Sequence, residues 1–144
     1  MIRNATLMDL DFLTMHDTHI PQERLRLAIE EKRILIIEEN QIIGWLRFSF
    51  FWESIPFVDM LFILEPFRHK QYGTDLMHFF EREMFVQGFK ELMLSTSSEE
   101  YSQHLYLKLG FKTVGGFFPT NEPYEIMMVK KLDQYNREKI SDGL

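Results

Sequence analysis

The sequence predicts a single α/β domain: a mixed, mostly antiparallel central sheet of about six to seven strands, flanked by about four helices. Three observations lead there. Two β-rich apolar runs, 33–38 and 42–52, are separated only by the turn-forming Glu39, Asn40 and Gln41, which reads as a hairpin. Two further strand-like runs, 57–64 and 91–96, bracket a segment with helical apolar spacing, and that β-α-β crossover implies a parallel pair. Finally, 144 residues with 45% apolar content suffice for one core without metal or disulfide support.

Taken in order, residues 2–5 read as a short first strand. Leu7, Leu10, Phe12, Leu13 and Met15 suggest a short amphipathic helix. Pro21 is expected to open a second helix, where its missing N–H costs nothing, with Leu25, Leu27 and Ile29 as its apolar positions. The hairpin follows, and then the run 57–64, flanked by Pro56 and Pro66. Leu76, Met77, Phe80, Met84 and Phe85 mark a helix over about 71–87, stopped near Gly88. After the strand 91–96, Ser98 is the expected N-cap of a helix carrying Tyr101, Leu105, Leu107 and Leu109 and ending at Gly110. Residues 112–118 and 124–130 read as two antiparallel final strands. The domain is expected to span 1–132, with 133–144 a polar tail.

Composition narrows the chemistry. There is no cysteine, which excludes a disulfide framework, a thiolate metal site and a cysteine nucleophile. The net charge is −6 with no basic stripe, so no nucleic-acid partner is expected. His16, His19, His69, His78 and His104 lack zinc-ligand spacing, and no metal is expected. The first residues lack the layout of a signal peptide, and no apolar run nears the ~20 residues that span a bilayer. A cytoplasmic protein with no membrane partner is the expectation. Trp45, Phe48, Phe50, Phe51 and Trp52 cluster in one run. Their expected role is core and dimer surface, with cation–π contact to an amine as the other reading.

The most informative segment is FRHKQYGTDLM, Phe67 to Met77, where a strand passes into a helix. A helix N-terminus there exposes backbone N–H groups, and the helix dipole favours an anion. Arg68, His69 and Lys70 add donors, and Gly73 permits close approach. A pyrophosphate cradle fits this pattern; a solvated basic turn is the simpler reading.

At this junction the sequence resembles the GNAT superfamily of acetyltransferases, which carries Arg/Gln-x-x-Gly-x-Gly/Ala. Arg68 and Gly73 take the first and last places, Gln71 stands where the first glycine usually falls, and Leu76 and Met77 match the apolar pair that follows. A second match lies in LYLKLGF, where Tyr106, Gly110 and Phe111 resemble the family's Tyr-x-x-x-Gly-Phe. The family's upstream Asn and Ala are here Glu99 and Ser102. Ile2, Arg3 and Ala5 also agree with its N-terminal start, so the resemblance spans nearly the whole chain.

The resemblance implies acetyl transfer from acetyl-CoA to an amine of a small molecule, peptide or protein, by direct attack in a ternary complex. It implies that Leu61, Phe62 and Ile63 meet the pantetheine arm through backbone. It places the diphosphate on the N–H groups of His69, Lys70, Gln71, Tyr72, Gly73 and Thr74, with Arg68 or Lys70 near the 3′-phosphate or solvent. Tyr106 is the implied acid for the departing thiolate. Asp59 resembles a glutamate that some members use as base; Glu53 and Glu122 are alternatives. A carboxylate on so apolar a strand is expected to be functional or paired, because burying it unpaired is costly. A homodimer is expected from the apolar content. The alternative function is a non-catalytic module that binds CoA or a partner.

Overall fold

The computed structural model describes residues 1–132, so the tail expected over 133–144 lies outside the described residues. Seven strands form one mixed sheet: β1 (Ile2–Asn4), β2 (Ile34–Glu38), β3 (Ile42–Phe51), β4 (Ile55–Ile63), β5 (Glu91–Ser97), β6 (Lys112–Phe117) and β7 (Glu125–Lys131). Their order is β1-β2-β3-β4-β5-β7-β6. Four helices accompany them: α1 (Leu10–His16), α2 (Gln22–Glu30), α3 (Tyr72–Val86) and α4 (Ser102–Lys108). The β4–β5 pair is parallel, joined through α3 as the crossover pattern predicts. The β1–β2, β2–β3, β5–β7 and β6–β7 pairs are antiparallel.

The chain divides into two compact units. The first comprises Met1–Phe48 and Met60–Leu76. Its core gathers Leu10 and Leu13 of α1, Leu25, Ala28 and Ile29 of α2, and Ile34, Ile36 and Trp45 of the sheet, with Phe12 and Met60 packed against them. Positions 25, 28 and 29 share one helical face, so Leu27 points out and is exposed, contrary to the expected apolar set. Leu7 and Met15 are exposed as well, and Leu7 belongs to a 3-10 turn, Leu7–Asp9, that precedes α1. Thr6 caps that turn in a capping box with Asp9. Pro21 is the N-cap of α2, one residue before its expected place. Arg3 binds both Asp9 and Glu38, and its guanidinium holds the Asp9 carboxyl below the usual range.

Two polar contacts sit deep in this unit. The buried Asp17 carboxylate accepts from Arg47 Nε at 2.9 Å and from Trp45 Nε1 at 3.2 Å. On β3, Gly44 lies hard against β4: a Cβ there would run into the Phe62 carbonyl oxygen and stand 2.7 Å from Ile63 Cδ1.

The second unit comprises Ser49–Asp59 and the described residues from Met77 onward. Its buried side chains include Met77, Phe80 and Met84 of α3, Leu92 and Leu94 of β5, Tyr106, Phe111 and Met128. Lys130 of β7 donates to the buried Glu81 of α3 at 2.7 Å. The turn between β3 and β4 places Trp52 and Glu53 at φ 55° and 60°, a region that favours glycine. Phe51, Trp52 and Phe57 form an aromatic run beside it.

The expected N-cap at Ser98 does not form. The Ser98 amide donates to Tyr124 O at 2.8 Å, which extends the β5–β7 ladder, and α4 starts only at Ser102. Of the aromatic run, Trp45 and Phe48 are core, whereas Trp52 is 78% exposed.

Candidate active site

In the first unit, β4 ends at Ile63 and a loop follows it. The Leu64 amide donates to Ile43 O on β3, and the Phe62 carbonyl also faces β3 at Gly44. Because backbone groups alternate along a strand, Leu61 and Ile63 direct theirs to the opposite edge. The register of β4 with β5 comprises Phe57↔Met93 and Val58↔Leu94, so Leu61 and Ile63 lie beyond it. Of the three residues Leu61, Phe62 and Ile63, Leu61 and Ile63 thus direct their backbone groups away from β3, and the Phe62 carbonyl faces it.

A 3-10 turn, Glu65–Phe67, leads from β4 into the loop. Arg68 then folds back: its Nε donates to Ile63 O at 2.8 Å, and its Cζ lies 5.0 Å from the centre of the Phe62 ring. His69 and Gln71 follow at φ 64° and 74°. Both thus take a left-handed conformation that glycine adopts without strain. Gln71 takes it despite its side chain, and His69 is a second such position, which sequence reasoning did not single out as left-handed.

The consequence is an array of amides. The Asp75 N–H bonds to Gln71 O at 2.9 Å, the first turn of α3. The amides of residues 69–74 take no acceptor among the described residues. An anion is the natural partner for such donors at the start of a fifteen-residue helix. His69, Lys70 and Gln71 are exposed, and Tyr72, Gly73 and Thr74 are half-buried. Tyr72 packs edge-on against Phe67, with ring centres 6.4 Å apart.

In the second unit, Tyr106 sits on α4 and its ring packs against Phe111. Burial, with a smaller push from Glu100, raises its hydroxyl to about 12. Every fully buried side-chain polar atom among the described residues has a partner, yet none takes or gives a hydrogen bond to the Tyr106 hydroxyl. That oxygen therefore keeps a path to solvent. Asp59 is exposed on β4, so the argument from a costly buried carboxylate does not apply to it. Glu53 and Glu122 are exposed as well. No group of three His, Asp or Glu among the described residues is arranged to hold a metal ion. No described helix is long and apolar enough to cross a membrane.

The model of the acetyltransferase (GNAT) family matches residues 5–111. Several solved structures share the fold. A GNAT-family acetyltransferase from Bacillus cereus ATCC 10987 superposes with TM-score 0.74 at 21% identity, covering 91% of this chain and 96% of that one. The ribosomal-protein-S18-alanine N-acetyltransferase from Escherichia coli gives 0.78 at 14% identity, covering 93% and 94%. The PaiA N-acetyltransferase from Thermoplasma acidophilum, in complex with coenzyme A, gives 0.72 at 17% identity, covering 91% and 98%. No curated protein sequence matches the chain.

Proposed function

This chain belongs to the acetyltransferase (GNAT) family, and on that premise we propose that it transfers the acetyl group of acetyl-CoA to an amine of a small molecule or peptide. The observation that carries the reading is the array of acceptor-less amides over residues 69–74. It suits the diphosphate of a coenzyme, and the structure of the T. acidophilum neighbour with coenzyme A supports the same ligand here.

In this reading the diphosphate oxygens accept from the amides of His69 to Thr74, strengthened by the α3 dipole. The pantetheine amides pair with backbone at Leu61 and at the Ile63 amide, since the Ile63 carbonyl already accepts from Arg68. A neutral amine attacks the thioester carbonyl carbon. A C–N bond forms, the C–S bond breaks, and the thiolate takes a proton from Tyr106. A hydroxyl raised to about 12 holds that proton at neutral pH, as an acid must. The proton lost by the amine passes to water or to Asp59, whose exposure suits a relay to solvent; Glu53 and Glu122 are the other carboxylates for this role. In this reading the protein acts in the cytoplasm. The strand β6, every residue of which is exposed, with Val114 and Phe117 on it and Phe118 following, supports a homodimer, which light scattering at micromolar concentration tests.

The test has two stages. Calorimetric titration with CoA is expected to show binding, and acetyl-CoA with a panel of primary amines is expected to release free thiol. Binding without turnover on any amine would make the chain a non-catalytic CoA-binding module. Absence of binding would remove the reading.

A further inference from the structure

The side chain of Arg68 is held from two directions. Its Nε is committed to the Ile63 carbonyl at 2.8 Å, and its Cζ lies over the Phe62 ring, 5.0 Å from the ring centre. The Nη groups take no acceptor among the described residues. Phe62 is itself fixed from beneath: it stacks on Trp45 with ring centres 5.0 Å apart and planes 29° apart. Trp45 is fully buried, and its indole N–H is tied to Asp17, which also anchors Arg47. A rigid column thus runs from a buried ion pair, through two stacked rings, to an exposed cation. It ends next to the amides of residues 69–74 in sequence.

A free arginine samples many rotamers and loses that freedom when it grips a ligand. Here the loss is met before any ligand arrives. The ring also suits guanidinium better than ammonium, because the planar cation stacks and keeps its edge free for paired contact with phosphate oxygens.

We propose that Phe62 is a positioning residue for coenzyme binding: its ring, backed by Trp45, presents the Nη edge of Arg68 to a phosphate of CoA. The proposal rests on the coenzyme reading above and goes beyond it. It assigns function to the side chain of a strand residue whose backbone faces the neighbouring strand. Purely structural packing of Phe62 would stabilise the unit without regard to Arg68.

A double-mutant cycle on CoA affinity separates the two. Phe62→Leu, checked for native circular dichroism, is expected to weaken CoA binding about 3- to 5-fold, the scale of one exposed cation–π contact. Arg68→Gln is expected to weaken it about 10-fold, the scale of a charge-assisted hydrogen bond. In the Arg68→Gln background, Phe62→Leu should then cost nothing further. Phe62→Tyr, which keeps the ring, should restore wild-type affinity. The fall of affinity with added salt should be shallower in both Phe62→Leu and Arg68→Gln than in wild type. An equal cost of Phe62→Leu in both backgrounds would overturn the proposal, as would unchanged affinity in a folded Phe62→Leu protein. Wild-type protein that binds no CoA would remove the coenzyme reading and this inference together, whereas the variant outcomes bear on the inference alone.

Discussion

The Lys130 ammonium donates to the Glu81 carboxylate at 2.7 Å, with 12% and 2% of the two side chains exposed. The pair fastens β7 to α3, and the Lys130 stem also covers Gly110. Removing one partner strands the other charge in a poorly hydrated place, at a cost of about 3 kcal/mol or more. Lys130→Ala is therefore expected to lower Tm by about 10 °C. Replacing both residues with leucine should recover most of that loss, because well-packed apolar groups substitute for buried ion pairs at little cost. Thermal unfolding followed by circular dichroism checks both.

Gln71 holds φ 74° in the amide loop. Gln71→Gly relieves left-handed strain of about 1 kcal/mol and adds a comparable entropic cost in the unfolded chain. Stability should move little, and CoA affinity should stay within about 2-fold, since the amide directions persist. Gln71→Val should weaken CoA binding by about 10-fold, because a β-branched residue resists this conformation. Titration calorimetry on the two variants separates backbone shape from side-chain chemistry at this position.

Gly73 lies in the first turn of α3, among the amides proposed to hold the diphosphate. Gly73→Glu is compatible with a helix N-terminus but brings a carboxylate to the anion's place. CoA affinity should fall at least about 100-fold, with secondary structure retained. Unchanged affinity in a folded Gly73→Glu protein would show that the anion does not bind there.

Tyr106→Phe keeps the ring that packs on Phe111 and removes the proton donor. The expected fall in kcat is at least about 30-fold, with the KM for acetyl-CoA little changed. An acyl donor whose leaving thiol is more acidic should lose less. A wild-type pH–rate profile should show no alkaline loss from this group until pH approaches 12.

The same hydroxyl makes a prediction for stability. Burial raises it from an ordinary value of 10 to about 12, so between those values the folded chain binds more protons than the unfolded one. Stability should therefore decline as pH rises from 10 to 12, by about 3 kcal/mol at most, and be insensitive to this group below pH 10. Denaturant titrations of wild type and Tyr106→Phe across that range isolate the contribution.

Much of this fold is legible in the sequence because its signals are periodic. The apolar spacing from Leu76 to Met84 locates α3, and the turn between 38 and 42 locates the β2–β3 hairpin. The failures occur where a local signal competes with a distant one. Ser98 looks like a cap, but Tyr124 claims its amide. Leu27 follows the two-residue spacing of Leu25 and Ile29, yet a helix turns it outward. At the candidate site, the segment 68–74 is legible through its basic residues, Gly73 and the family motif. The left-handed turn at His69 is not, because residue type alone argues against it. Nor are the pairs Asp17–Arg47 and Glu81–Lys130, whose members lie far apart in the chain and meet only when it folds.

Gly44 carries a consequence for heredity. Every single-base change in a glycine codon that alters the amino acid introduces a Cβ, and at this position a Cβ meets the Phe62 carbonyl and the Ile63 side chain. Position 44 thus has no tolerated neighbour one mutational step away. Its invariance in descendants of this gene would report the closeness of two strands, and a survey of variants would mistake it for a catalytic residue if frequency alone were the guide.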